Sequence, residues 1–270
     1  MKKYITFKNT EIAFSDKGKG RVIVLLHGFL ETSAIWTEYQ NKLAKQYRVI
    51  CIDLLGHGDS NCNGYIHTME QMAEYVKAVL NKLNLRKYII IGHSMGGYVA
   101  LAFAEMYPDN VKGLGLFNST ASADSEEKKS ERERAIVVVK RNHKKYIKEV
   151  IPNLFTKEYV PLLKNEIEDL LEEASSLPKQ GIIAGLEGMK IRMDREVIIK
   201  FAQYPVLFIV GKKDKTVTFQ SLKEQFYLPE KSQVLVLENS GHMSYLEAKQ
   251  DCLKAIKKFV RSIYKSKVTV

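Results

Sequence analysis

One five-residue motif has the composition expected around a catalytic serine. Gly92-His93-Ser94-Met95-Gly96 follows a short apolar run typical of a buried strand and precedes a pattern typical of a helix. A serine on a sharp turn between a strand and a helix needs small residues on both sides, because the backbone closes tightly there. The turn then holds the hydroxyl above the sheet, with the N-terminus of the helix behind it. The motif therefore predicts that Ser94 is a nucleophile.

A serine hydroxyl is a weak nucleophile unless a base takes its proton, so the histidines are the next residues to consider. His93 adjoins the serine and should project away from its hydroxyl, His57 lies in a glycine-rich loop, and His143 lies among lysines. His67 directly precedes a helix and is expected near its N-cap. His242 instead lies between the last predicted strand and the final helix, on the same edge of the sheet as Ser94. We therefore predict that His242 is the base.

The base in turn needs a carboxylate that orients its ring and stabilises the imidazolium. Asp214 follows the apolar run 206–210 through Gly211-Lys212-Lys213, whereas the preceding strand ends in Phe117-Asn118-Ser119, which offers no carboxylate. Asp214 is thus the predicted acid, although by itself it would be interpreted as a turn aspartate in a lysine-rich loop.

Attack on a carbonyl also creates an oxyanion that backbone N–H groups must stabilise. Met95 follows the predicted nucleophile at the start of a helix and supplies one such group. The glycine-bearing loop His27-Gly28-Phe29-Leu30, at the end of the first buried strand, offers a second from Phe29.

The elements that position these residues alternate between strands and helices. Apolar runs rich in β-branched residues predict strands at 3–7, 11–15, 22–26, 47–52, 88–91, 111–117, 206–210 and 233–237. Helical patterns occur at 69–83, 94–107 and 248–264. A β-meander followed by this alternation predicts an α/β protein with a mainly parallel, doubly wound sheet. Ligands of such sheets bind at the carboxyl ends of the strands, where the predicted site residues lie.

Residues 119–200 interrupt the alternation. This interval has no convincing strand, is far too long for a connecting loop, and carries three helical patterns separated by Pro152, Pro161 and Pro178. We predict a helical lid at 119–200 that is inserted into a core domain of residues 1–118 and 201–270. Its 16 basic and 15 acidic residues nearly cancel, so we interpret 125–148 as a solvated helix face rather than a binding arm.

These segments together resemble the α/β-hydrolase superfamily, and within it the lidded serine hydrolases. The resemblance rests on His27-Gly28, the loop 53–60, the 92–97 turn, Gly211-Lys212-Lys213-Asp214 and Ser240-Gly241-His242, and it covers the chain apart from the lid. It implies the α/β-hydrolase fold, with Ser94, His242 and Asp214 as nucleophile, base and acid and with Phe29 and Met95 as oxyanion donors. A serine nucleophile disfavours the epoxide hydrolases and haloalkane dehalogenases of that superfamily, which use aspartate.

The favoured activity is hydrolysis of a carboxylic ester or a related acyl bond in a small-molecule substrate through an acyl-enzyme, which needs no cofactor and no metal. One alternative is carbon–carbon bond hydrolysis in an acidic dienoate, with Lys190, Arg192 and Arg195 pairing with the substrate carboxylate, although a solvated helix end is the favoured interpretation of these three residues. Another alternative is a ligand receptor that keeps the triad and has little turnover. The sequence does not determine the length of the acyl chain, whether an ester or a thioester is cleaved, or the oligomeric state.

The composition narrows the choice of partners. The chain of 270 residues has a formal net charge of +11, but 33 of its 42 basic residues are lysine and the first 48 and last 24 residues each contribute +5. Because these ends lie away from the predicted site, we expect a solubilising surface, no nucleic-acid binding and at most a weak contact with anionic lipid. No apolar run is long enough to predict a transmembrane segment. Three cysteines without CxxC spacing and no recognisable signal peptide favour a reducing, cytoplasmic setting.

Overall fold

Eight strands form one sheet in the computed structural model, which describes residues 2–265. The strands are β1 (Lys3–Phe7), β2 (Thr10–Lys17), β3 (Val22–Leu26), β4 (Arg48–Ile52), β5 (Tyr88–His93), β6 (Val111–Phe117), β7 (Val206–Gly211) and β8 (Ser232–Leu237). Their order is β1-β2-β4-β3-β5-β6-β7-β8, in which β2 runs antiparallel to both of its neighbours and every other pair is parallel. The α/β-hydrolase fold that the sequence predicts is thereby confirmed.

The central strands are continuous apolar runs because helices cover both faces of the sheet. Every residue of β3, β5 and β7 is buried, and the register places the C-terminal residue of β5, His93, beside Phe117 of β6. The carboxyl ends of β5, β6 and β7 therefore meet at one edge of the sheet.

Ten α-helices accompany this sheet within the described residues. They are α1 (Thr37–Leu43), α2 (Met69–Lys82), α3 (Met95–Met106), α4 (Glu126–Asn153), α5 (Lys164–Ser176), α6 (Lys179–Lys190), α7 (Glu196–Lys200), α8 (Phe219–Leu222), α9 (Ser244–Glu247) and α10 (Lys249–Lys265). The sequence patterns predict α2, α3 and α10, whereas the short helices α1, α8 and α9 have too few turns for a recognisable period.

Helices α4 to α7 occupy the interval between β6 and β7. The division of the chain into a core and a lid with bounds at 119 and 200 stays a prediction. Pro152, which was expected to break the helical pattern, lies in the last turn of α4, one residue before its end. The helix also changes direction at Asn142 (φ −156°, ψ 89°), which the sequence did not predict. The Asn142 side chain accepts a hydrogen bond from the backbone N–H of Lys145 (3.0 Å), so it caps the second part of the helix.

Within residues 2–265, no helix is both long enough and apolar enough to cross a membrane. The same part of the chain contains no group of three or more metal-ligating side chains. Cys51, Cys62 and Cys252 are all free thiols.

Candidate active site

Ser94 lies on the tight turn between β5 and α3. Its backbone has φ 48° and ψ −116°, a conformation that L-residues rarely adopt, and its N–H donates to the carbonyl oxygen of Phe117 (2.9 Å). The flanking glycines are needed for close approach, since a Cβ on Gly92 would overlap the backbone of Gly96 and a Cβ on Gly96 would lie 2.5 Å from the carbonyl oxygen of His27. The small residues of the motif thus serve the purpose that the sequence predicts for them.

The structure brings Ser94, His242 and Asp214 into one hydrogen-bonded row. His242 Nε2 lies 2.9 Å from Ser94 Oγ, and His242 Nδ1 lies 2.7 Å from Asp214 Oδ2. Because an ionised carboxylate only accepts hydrogen bonds, Nδ1–H donates to Asp214, which leaves Nε2 free to accept the serine proton. All three side chains are buried.

The Asp214 carboxylate is held by donors on every side. The backbone N–H groups of Thr216 (2.8 Å) and Val217 (3.0 Å) donate to Oδ1, and the Asn118 amide donates to Oδ2 (3.0 Å). Burial by itself would raise the pKa of Asp214, but the charge and hydrogen bond of His242, with these donors, hold it below its usual value. Asp214 is therefore a carboxylate whenever it orients His242.

The loop that carries His242 is tied to the segment after α4. The His242 N–H donates to the carbonyl oxygen of Leu154 (3.0 Å), and the neighbouring Gly241 N–H donates to the Glu247 carboxylate (2.5 Å). The ring position of His242 thus depends on the inserted helices as well as on the sheet.

Phe29 and Met95, the predicted oxyanion donors, have backbone N–H groups that are not used in the fold of the described residues. The N–H of Phe29 has no acceptor within residues 2–265. Met95 is the first residue of α3, where a helix leaves its N–H groups without intrahelical acceptors. Their use as oxyanion donors stays a prediction.

A buried pair beside the row was missed by sequence reasoning. His93 Nδ1 lies 2.9 Å from Glu31 Oε2, and His93 Nε2 lies 3.0 Å from the carbonyl oxygen of His242. Both ring nitrogens face acceptors, so His93 is an imidazolium paired with the Glu31 carboxylate. The only sequence signal was an acidic residue directly after the loop His27-Gly28-Phe29-Leu30.

A cavity of about 190 Å³ opens onto Ser94 and His242. The sheet side of its wall includes Phe29, Leu30 and Tyr98, and the inserted helices contribute Lys128, Glu131, Arg132, Ala135, Tyr146, Val150, Leu154, Leu186 and Met189. Residues 125–148 are thus not only a solvated face, as the near-neutral charge had suggested, because α4 forms part of the cavity wall. The error arose because charge balance does not reveal which side of a helix is covered.

Lys190, Arg192 and Arg195 were expected either to meet a substrate carboxylate or to form a solvated helix end. None of them lines the cavity, and Arg192 and Arg195 are only 7% and 2% exposed. Arg192 pairs with Asp124, and Arg195 pairs with Glu70 and Glu105. Both interpretations are therefore wrong for these two arginines, which hold elements together through ion pairs. Lys190 is one-fifth exposed and pairs with Glu187 and Glu133.

Comparisons with known proteins point in the same direction as this geometry. The sequence model of a family described as alpha/beta hydrolase fold matches residues 21–249. The AB hydrolase superfamily protein YisY of Bacillus subtilis is 28% identical over 95% of this chain and 98% of its own. The monoacylglycerol lipase ABHD6 of Bos taurus is 25% identical over 97% of this chain and 82% of its own. A thermophilic esterase from Thermogutta terrifontis superposes with a TM-score of 0.92 and 31% identity, covering 97% of this chain and 99% of its own.

Proposed function

Because the chain belongs to the α/β-hydrolase fold family, we propose that it is a serine hydrolase that cleaves carboxylic esters through an acyl-enzyme intermediate. The observation that carries this proposal is the continuous row from Ser94 through His242 to Asp214, whose serine end opens into the cavity. A row of nucleophile, base and orienting acid within hydrogen-bond reach is the arrangement that acyl transfer requires.

In the proposed reaction, Ser94 Oγ attacks the ester carbonyl carbon while His242 Nε2 takes the hydroxyl proton. The imidazolium then donates this proton to the departing alcohol, and Asp214 stabilises its charge without becoming protonated. Water, activated by the same His242, cleaves the acyl-enzyme and releases the acid. The N–H groups of Phe29 and Met95 stabilise the oxyanion in both steps, and losing one such donor typically costs about 3 kcal/mol of barrier.

The size of the cavity favours short substrates. Its volume of about 190 Å³ is below the roughly 300 Å³ at which pockets for drug-sized ligands begin. We expect acetate and butyrate esters to have higher kcat/KM values than octanoate esters of the same alcohol. A preference for octanoate would instead mean that the inserted helices move apart to admit long chains.

Covalent labelling tests the assignment of the nucleophile. We expect a fluorophosphonate to label the wild-type protein and not Ser94→Ala, and we expect this substitution to lower kcat for p-nitrophenyl acetate by a factor of about 10⁴ or more. Ser130→Ala, at an exposed position on α4, is the matched control and should label like the wild type.

Two results would contradict the proposal. A folded wild-type protein that neither reacts with the fluorophosphonate nor hydrolyses any ester of the series would favour a ligand receptor with little turnover. Undiminished labelling of Ser94→Ala would place the nucleophile elsewhere.

A further inference from the structure

A basic group on α4 lies in the wall of the cavity that holds Ser94 and His242. Arg132 lines this cavity together with Tyr98 and Tyr146, and its side chain is only 12% exposed. A buried guanidinium in a mainly apolar wall is unusual, because removing its charge from water is costly unless the charge is paired.

Arg132 belongs to a cluster with one positive charge in excess. The Asp124 carboxylate accepts from Nε of Arg132, from Nη2 of Arg132 (3.3 Å) and from Nη1 of Arg192 (2.5 Å). Burial alone would raise the pKa of Asp124, but the hydrogen bonds and charges of Arg132 and Arg192 hold it below its usual value, so Asp124 stays ionised. One carboxylate then faces two guanidinium groups.

No carboxylate in the cavity wall balances this excess. Among residues 2–265, only Glu31 and Glu131 bring a carboxylate to the cavity wall, and each already has a cation of its own: Glu131 pairs with Lys128 (2.7 Å) and Glu31 pairs with His93 (2.9 Å). An anion that enters the cavity would therefore meet a positive charge that no cavity-lining group neutralises.

Donors for such an anion remain unused. Within the described residues, the only hydrogen-bond acceptor of Arg132 Nη1 is the thioether sulfur of Met189 (3.5 Å), which is a weak acceptor. The hydroxyls of Tyr98 and Tyr146, both within electrostatic reach of Arg132, have no hydrogen-bond partner in the described part of the chain. The guanidinium of Arg192 lies 4.0 Å from the centre of the Tyr98 ring, which fixes the position of this phenol.

We propose that Arg132, Tyr98 and Tyr146 bind a carboxylate on the ester substrate, so that the preferred substrates are short half-esters of dicarboxylic acids. This inference rests on the proposed esterase function. A guanidinium is the side chain whose geometry best matches a carboxylate, and two phenol donors beside it complete the acceptor sites of that anion. The small volume of the cavity limits how many carbon atoms separate the carboxylate from the ester carbonyl.

Two esters of one acid test the inference. Monomethyl succinate carries the free carboxylate and dimethyl succinate does not, and acid release from both is measured in a pH-stat at pH 7.5. We expect the wild-type ratio of kcat/KM, half-ester over diester, to exceed about 10 and to fall about 10- to 100-fold in Arg132→Met, as expected for a lost charged hydrogen bond. Arg134→Met, at an exposed position two residues further along α4, is the matched control and should keep the wild-type ratio.

A milder variant keeps the test informative if Arg132→Met fails to fold. Tyr98→Phe removes one hydroxyl and should lower the same ratio about 3- to 10-fold. Succinate itself should slow fluorophosphonate labelling of the wild-type protein, and about 10-fold more succinate should be needed for the same protection in Tyr98→Phe or Arg132→Met.

The outcomes separate this inference from the esterase proposal. Normal labelling of Ser94 and hydrolysis of the diester, with a ratio near one that neither Arg132→Met nor Tyr98→Phe changes, would overturn the carboxylate site and leave the esterase proposal standing. Absence of both labelling and hydrolysis would overturn the esterase proposal itself, and the inference with it.

Discussion

Glu31 connects the two loops that flank the Ser94 hydroxyl. Its carboxylate accepts from the Gly28 N–H (2.5 Å) in the predicted oxyanion loop, from the Tyr245 hydroxyl (3.1 Å) and from His93 Nδ1 (2.9 Å). His93 in turn donates to the carbonyl oxygen of His242. A single buried ion pair thereby joins the segment that would hold the oxyanion to the residue that would act as base.

The stability that this pair contributes should depend on pH. Burial alone would lower the pKa of His93, but the Glu31 carboxylate raises it above 6.5; burial alone would raise the pKa of Glu31, but His93 and the Gly28 N–H hold it below 4.5. The histidine contribution is complete below pH 6.5 and is lost as pH rises through the raised pKa, whereas the glutamate contribution is complete above pH 4.5 and is lost as pH falls through the lowered one. The Glu31–His93 pair therefore stabilises the fold most between pH 4.5 and pH 6.5.

We expect Glu31→Gln to lower the free energy of unfolding by about 3 kcal/mol at pH 5.5 and by less at pH 8.5, because the charge that pairs with Glu31 is lost as the pH rises through the raised pKa of His93. Urea unfolding of wild type and variant at both pH values measures the difference. Glu38→Gln removes a half-exposed carboxylate from α1 and should cost less than about 1 kcal/mol at either pH. An equal loss for Glu31→Gln at both pH values would mean that the charge state of His93 does not change between them.

The hydrogen-bonded row of Ser94, His242 and Asp214 could be predicted from the sequence for a simple reason. Ser94, Asp214 and His242 each come shortly after an apolar run, and the carboxyl ends of parallel strands converge on one edge of the sheet. The burial of Arg132 could not be predicted in this way, because it depends on the packing of Asp124 and α6 against one side of α4. Helical periodicity gives the apolar stripe of a helix but not the depth at which its borders are covered.

Helix α6 packs closely against the core at two of its glycines. A Cβ on Gly181 would overlap the backbone of Gly56, and a Cβ on Gly188 would overlap the carbonyl group of His67. The two glycines are seven residues apart, which is about two turns, so they lie on one face of the helix. The His67 N–H also donates to the carbonyl oxygen of Ala184 (3.0 Å) on that face.

This close approach predicts opposite effects of one substitution at two sites in α6. Alanine is favoured over glycine in a helix by about 1 kcal/mol, yet Gly188→Ala should lower the free energy of unfolding by about 2 kcal/mol or more because its Cβ has no room. Gly185→Ala places its Cβ 3.4 Å from the Phe29 ring and should be neutral or stabilising. Urea unfolding of both variants provides the comparison, and equal stabilisation by the two substitutions would show that α6 shifts freely on the core.

The strands were predicted to within a few residues, whereas the inserted helices were predicted less well. The strands β3, β5 and β7 carry unbroken apolar runs between turn residues, so their position follows from composition alone. In α4, the bend at Asn142 is produced by a side-chain cap within a polar stretch, and such a cap competes with helix continuation only once tertiary contacts favour it. Pro152, one residue before the end of α4, marks the predicted break, whereas the bend at Asn142 has no comparable signal in the sequence.

The net charge of +11 lies mainly at the two ends of the chain, and part of it is paired. Lys2 pairs with Asp53 and Asp59, Lys8 pairs with Glu74, and Lys249 pairs with Glu38. The edge strand β1 is separated from β5 by four strand spacings, which corresponds to about 19 Å. This distance exceeds the Debye length of about 10 Å at 0.1 M salt, so the charges of β1 should hardly be felt at Ser94.

We therefore expect kcat/KM for a neutral ester, p-nitrophenyl acetate, to change less than about 2-fold between 0.05 and 0.5 M NaCl. Replacing the exposed Lys254, Lys257 and Lys258 of α10 together by glutamine lowers the net charge by three, and it should leave this value equally unchanged at the lower salt concentration. The reason in both cases is that an uncharged substrate is not steered by distant charges, and the local field at the cavity arises from buried groups that salt screens poorly. A fall of 10-fold or more with salt, reproduced by the triple substitution, would mean that the basic surface of α10 takes part in substrate binding.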